Sequence, residues 1–154
     1  MTRTLTLTDT VWRTLRLAGT RALPRETGGL LLGYYTEIGP HVTEAHVVPD
    51  PRATRIRYRR DAVVADRILG TQLQADNSGV LGYIGEWHTH PLPIGPSATD
   101  VHATGRLAAA GGHDITLLVL AMGGRGWSGH ALNASPTGSI DRLQLDVKGA
   151  GYDG

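Results

Sequence analysis

The chain has 154 residues, of which 40% are hydrophobic and 19% charged, enough for one domain with its own core and too short for two. A formal net charge of +1 gives no global field that would draw the protein to nucleic acid or to a membrane surface. Cysteine is absent, which excludes a thiol nucleophile, a disulfide framework and thiolate-held metal, so a metal must be taken by His, Asp or Glu.

A single domain over residues 1–148 with a frayed tail at 149–154 is expected. Met1 to Thr10 lacks an apolar signal core, and the longest apolar stretch, Ile115 to Met122, is too short to span a bilayer. The expectation is a cytoplasmic protein with no membrane partner. Thr8 or Asp9 can cap a helix carrying Val11, Trp12, Leu15, Ala18 and Ala22 at three-to-four spacing and ending near Pro24. Glu26 to Tyr35 begins polar and glycine-rich and becomes Leu30-Leu31-Leu32, the pattern of a strand buried on both faces, with Glu26 at its start.

Two further strands are predicted at His41–Val48 and Thr54–Arg60, the second alternating Ile56 and Tyr58 with Arg55, Arg57 and Arg59. Asp61 to Ala75 reads as a helix stopped by Asn77-Ser78-Gly79, and a strand then runs from Val80 into two histidines. Ser97 opens a helix through Ala110, Ile115–Met122 and Trp127–Leu132 are strands, and Ile140–Val147 is a strand or a helix. The order predicts an α/β or α+β architecture, a mixed central sheet flanked by helices. Gly124-Arg125-Gly126-Trp127-Ser128-Gly129 matches a dinucleotide-binding string but sits where a hairpin, not a helix, should follow.

The chemistry concentrates in Glu86-Trp87-His88-Thr89-His90-Pro91 and Pro96-Ser97-Ala98-Thr99-Asp100. Residues two apart on a strand share a face at about 6.7 Å between Cα atoms, so His88 and His90 can converge on one ion. Pro91 ends the ladder where a site needs an opening. Ser97 and Asp100 have the spacing of a helix cap and its third residue, which lets Asp100 complete a His-His-Asp set and leaves a fourth tetrahedral position for water, as in catalytic zinc sites. Glu86 shares the strand face of His88 and His90 and is a candidate for the base or for orienting a histidine.

This combination, with Glu26-Thr27-Gly28-Gly29-Leu30-Leu31-Leu32-Gly33 upstream, resembles the JAMM (MPN-plus, Mov34-type) metalloprotease family from about Thr8 to Leu132. The resemblance implies a cytidine-deaminase-like MPN domain holding one zinc ion on His88, His90 and Asp100, with Glu26 as general base and Ser97 hydrogen-bonding the oxyanion. It also implies hydrolysis of the amide after the C-terminal glycine of a ubiquitin-like protein or conjugate. The loop between His90 and Ser97 is one residue shorter than is usual in the family. The segment is similar to compact bacterial JAMM peptidases encoded beside ubiquitin-activating-like and conjugating-like enzymes, including those of antiphage CBASS systems, and those enzymes are the expected partners.

Other readings are processing of a sulfur-carrier protein of ubiquitin-like fold and a non-catalytic MPN scaffold. Arg55, Arg57 and Arg59 suit a solvated face or an acidic partner; an RNA-binding module would rest on that segment alone, and nucleic acid is not the expected partner. His102, two residues beyond Asp100, should face away from it, and Trp87 should belong to the core.

Overall fold

Three consecutive leucines can all be buried in a strand only if both of its faces are covered. The computed structural model of the protein, which describes residues 3–149, shows how: Leu30, Leu31 and Leu32 are each almost wholly inaccessible. They lie in β2 (Gly28–Thr36), one of seven strands among the described residues, with β1 (Thr4–Thr8), β3 (Gly39–Val47), β4 (Gly82–His90), β5 (Ile115–Gly123), β6 (Gly126–Ala134) and β7 (Ile140–Lys148). The helices are α1 (Asp9–Ala22), α2 (Ala62–Ala75) and α3 (Ala98–Gly111).

The strands pair in the order β1-β3-β2-β4-β5-β6-β7 and close into a barrel. The sheet is mixed, as expected: β1 runs parallel to β3 and β7, β4 parallel to β5, and the remaining pairs are antiparallel. It is not an open sheet between helices. Residues from every strand, among them Leu5, Leu31, Val42, Trp87, Leu118, Ala131 and Leu143, share one apolar cluster with Val11 and Leu15 of α1. Neighbouring positions in the same strands turn the other way: Leu30 packs with Ala65 of α2, and Leu117 and Val119 pack with Val101 of α3.

The helix starts behave as their caps dictate. Thr8 Oγ1 accepts from Val11 N–H, the Asp61 carboxylate from Val63 and Val64, and Ser97 forms a capping box with Asp100. The structure adds one element, decides another and overturns a third. The Thr-Leu-Thr-Leu-Thr run at residues 4–8 is a strand, with Leu5 and Leu7 fully buried. The undecided 140–147 segment is also a strand, because it pairs in parallel with β1 from Thr4↔Gln144 to Thr8↔Lys148.

The strand expected at residues 54–60 is overturned: the segment is a loop. Asp50 accepts from the N–H groups of Arg52 and Arg59, Thr54 N–H donates to the Arg57 carbonyl, and Ile56 is 82% exposed. Alternation alone could not make a strand where no sheet edge was free to pair with it. The glycine-rich string at residues 124–129 falls in the β5–β6 hairpin, where Gly126 has φ +100. Of the tail expected at residues 149–154, residues 150–154 lie outside the described part of the chain.

Candidate metal centre

Strict alternation along β4 would put Ile84 and Trp87 on opposite faces, yet both join the interior cluster. The reason is an irregularity in the β2–β4 register between Leu31 and Leu32, paired with Gly85 and Tyr83, which leaves Ile84 as an extra residue. Beyond it Trp87 points inward, and Glu86, His88 and His90 share the outer face. The bulge therefore decides which face carries the histidines.

On β2, Gly28 lies opposite His88 and Leu30 opposite Glu86. The pairing runs one step further, since Thr89 N–H donates to the Thr27 carbonyl at 2.8 Å. Glu26 thus reaches the outer face beside His90, and its own N–H donates to the Thr54 carbonyl at 2.8 Å. Gly28 has to be glycine: a Cβ there would stand 2.5 Å from the Trp87 carbonyl oxygen and 2.6 Å from the Tyr58 ring. That ring stacks on His88 with centroids 6.5 Å apart, and its hydroxyl donates to the Val48 carbonyl.

Asp100 arrives from the first turn of α3. Its Oδ2 accepts from Ser97 N–H at 2.8 Å, and Asp100 N–H donates to Ser97 Oγ at 3.0 Å. The same Oδ2 lies 3.2 Å from His88 Nε2 and 3.3 Å from His90 Nε2. Donors about 2.0–2.1 Å from one tetrahedral ion stand roughly 3.3 Å apart, so these spacings are those of a ligand set. His90 Nδ1–H donates to the Ile94 carbonyl at 2.8 Å, which leaves the Nε2 lone pair facing Asp100. His88 Nε2 is buried with no aligned hydrogen-bond partner. A buried imidazole nitrogen without a partner is costly, and a cation between the three groups would satisfy it. His88, His90 and Asp100 can together hold one metal ion.

The charges agree with this. Burial acts to raise the Asp100 pKa, but contacts from His88 and His90 outweigh it and hold the carboxylate well below its ordinary range. The hydrogen bond that His90 donates to Asp100 raises the His90 pKa, against a smaller opposing effect of burial. Burial raises Glu26, partly offset by the two histidines. Glu26, His90, Ser97 and Asp100 line an open cleft together with residues 55–59 of the loop.

Glu86 shares the histidines' face, as alternation requires, but its carboxylate is taken elsewhere. Arg60 Nε donates to it at 2.7 Å and Tyr83 OH donates to the other oxygen. Burial raises its pKa. Glu86 therefore anchors the arginine-bearing loop at Arg60. The sequence reading missed Tyr58, Arg60 and the Ile94 carbonyl as parts of the site, and only the single aromatic within the arginine run hinted at the first. Arg55, Arg57 and Arg59 line the cleft. His102 is exposed on α3, away from the donors, and Trp87 is core, with Nε1–H donating to the His46 carbonyl.

A family model described as prokaryotic homologs of the JAB domain matches residues 8–133. Among solved structures, the solution structure of protein DSY2949 from Desulfitobacterium hafniense is similar over 94% of this chain and 93% of its own, with a TM-score of 0.69 at 18% identity. That likeness is one of fold. Comparison with curated proteins finds no match.

Proposed function

Because the chain belongs to the family of prokaryotic JAB-domain homologs, we propose that it is a zinc-dependent peptidase that hydrolyses the amide after the C-terminal glycine of a ubiquitin-like protein or its conjugate. The observation that carries this reading is the convergence of His88 Nε2, His90 Nε2 and Asp100 Oδ2 beside Glu26 in an open cleft. Zinc held by these three donors supplies Lewis acidity and lowers the pKa of water to about 7.

The chain's own groups do the rest. Glu26, in the cleft beside His90, accepts the proton of the attacking water and passes it to the departing amine. Ser97 Oγ already accepts from Asp100 N–H, so its hydroxyl proton remains free to donate to the carbonyl oxygen as negative charge develops there. Asp100 and the His90–Ile94 hydrogen bond keep the donor set in one geometry. Ubiquitin-activating-like and conjugating-like enzymes encoded nearby, in an antiphage setting and in the cytoplasm, are the proposed context. Among the described residues no helix is long and apolar enough to cross a membrane.

The test joins metal analysis to a cleavage assay on a ubiquitin-like fusion. Wild-type protein should carry about one equivalent of zinc, and Glu26→Gln should keep it while cleaving roughly 10²- to 10⁴-fold more slowly. Undiminished cleavage by Glu26→Gln would remove Glu26 from its role. Wild type without bound metal would favour the scaffold reading.

A further inference from the structure

Beneath the proposed peptidase activity lies the question of which polypeptides the cleft accepts, and the 54–60 loop bears on it. Arg55, Arg57 and Arg59 line the same cleft as Glu26, Ser97 and Asp100. Among the described residues none of the three forms an ion pair, whereas Arg60, the next residue, is committed to Glu86. The cleft's own carboxylates are Glu26 and Asp100, and a divalent ion in the donor set offsets both. Three arginines then line the cleft without a counter-charge among the described residues.

The loop that carries them is held at both ends. Asp50 binds the backbone N–H groups of Arg52 and Arg59, and Glu86 holds Arg60. The charges are thus presented on a fixed support, which reduces the ordering cost of binding. Ile56, Leu92 and Ile94 are 82%, 53% and 55% exposed around the same opening. We infer that the segment of substrate entering this cleft is an extended polypeptide bearing acidic side chains, interspersed with apolar ones, within a few residues of the scissile amide. The inference rests on the peptidase reading for the position of that amide.

Nucleic acid fits the same cleft less well. Binding of single strands combines a cationic groove with free aromatic faces on which bases stack. The loop's one aromatic, Tyr58, is stacked on His88 and tied through its hydroxyl to Val48. Apolar Ile56, Leu92 and Ile94 have no role on a phosphate backbone but suit a peptide.

The experiment uses zinc-loaded full-length protein and fluorescein-labelled probes: a peptide alternating Asp or Glu with Leu, its Asn/Gln isostere, and an oligoribonucleotide of similar length. At low salt the acidic peptide should bind about tenfold tighter than the isostere and more tightly than the RNA, with the preference fading as salt rises. Arg55→Gln/Arg57→Gln/Arg59→Gln should abolish the preference while its melting temperature and zinc content match wild type. Equal binding of the two peptides, a preference that survives in the triple variant, or tighter binding of RNA overturns the proposal. In parallel, the fusion-cleavage assay reads the activity alone: cleavage without charge preference sinks only the acidic-substrate inference, and charge-dependent binding without any cleavage sinks only the peptidase reading.

Discussion

A single oxygen, Asp100 Oδ2, organises the site: it caps the start of α3 through Ser97 N–H and faces both histidine Nε2 atoms. In the metal-free protein this makes His90 a proton competitor. Its pKa is raised by Asp100, so Nε2 holds its proton to higher pH than the ordinary 6.5, while Asp100 is held down and stays ionised. Metal must displace that proton. Affinity should therefore climb with pH through and above 6.5 and level off once His90 is neutral, as read by competition with a chromophoric chelator; a flat profile from pH 6 to 8 would count against the donor set. For the metal-free fold the signs are opposite. Stabilisation from raised His90 is complete below 6.5 and lost as pH rises through its folded value, and that from lowered Asp100 is complete above 3.8 and lost as pH falls through its folded value. The pair's contribution is thus fullest between those two ordinary values, and adding metal should raise the melting temperature more at pH 8 than at pH 6.

Among the elements, β2 and β4 act as one unit, because the outer-face positions of one stand opposite those of the other. The string Gly28-Gly29 has a steric reason at each position: at Gly28 the Tyr58 ring and Trp87 carbonyl occupy the space of a side chain, and at Gly29 the His46 carbonyl does. Gly28→Ala should cost about 1–3 kcal/mol in denaturant unfolding and weaken metal binding by displacing His88 or Tyr58. Gly105 in α3 borders open space, with nothing within 4 Å of where a methyl group would stand, so Gly105→Ala should instead stabilise by roughly 0.5–1 kcal/mol. A Gly28→Ala variant as stable as wild type would show that crowding does not fix this glycine. At this scale the sequence was legible wherever a local signal coincided with a tertiary partner. The Ser97–Asp100 spacing predicted a cap and the structure has one, and Asp61 starts α2 as read. It was misleading at residues 54–60, where an alternating pattern had no strand to pair with, and it went unread at Thr4–Thr8, where the period-two signal spans only five residues.

In the molecule as a whole, the barrel separates stability from chemistry. Leu118 is fully buried in the interior cluster, while His88, its near neighbour across the β4–β5 pairing, faces outward. Leu118→Ala should lower unfolding free energy by about 2–5 kcal/mol, yet leave metal affinity unchanged when measured well below the melting midpoint; a matching loss of affinity would mean that the two faces are coupled. The candidate donors His88, His90 and Asp100, which the structure brings together, could be picked out from the chain alone, because metal chemistry restricts which side chains can serve and strand and helix periods restrict where they point. Closure of the sheet into a barrel, the bulge that turns His88 and His90 outward, the commitment of Glu86 to Arg60 and Tyr83, and the arginine loop lining the cleft were decided only by tertiary structure. Each depends on which distant backbone or side chain arrives as a partner, and no local period records that.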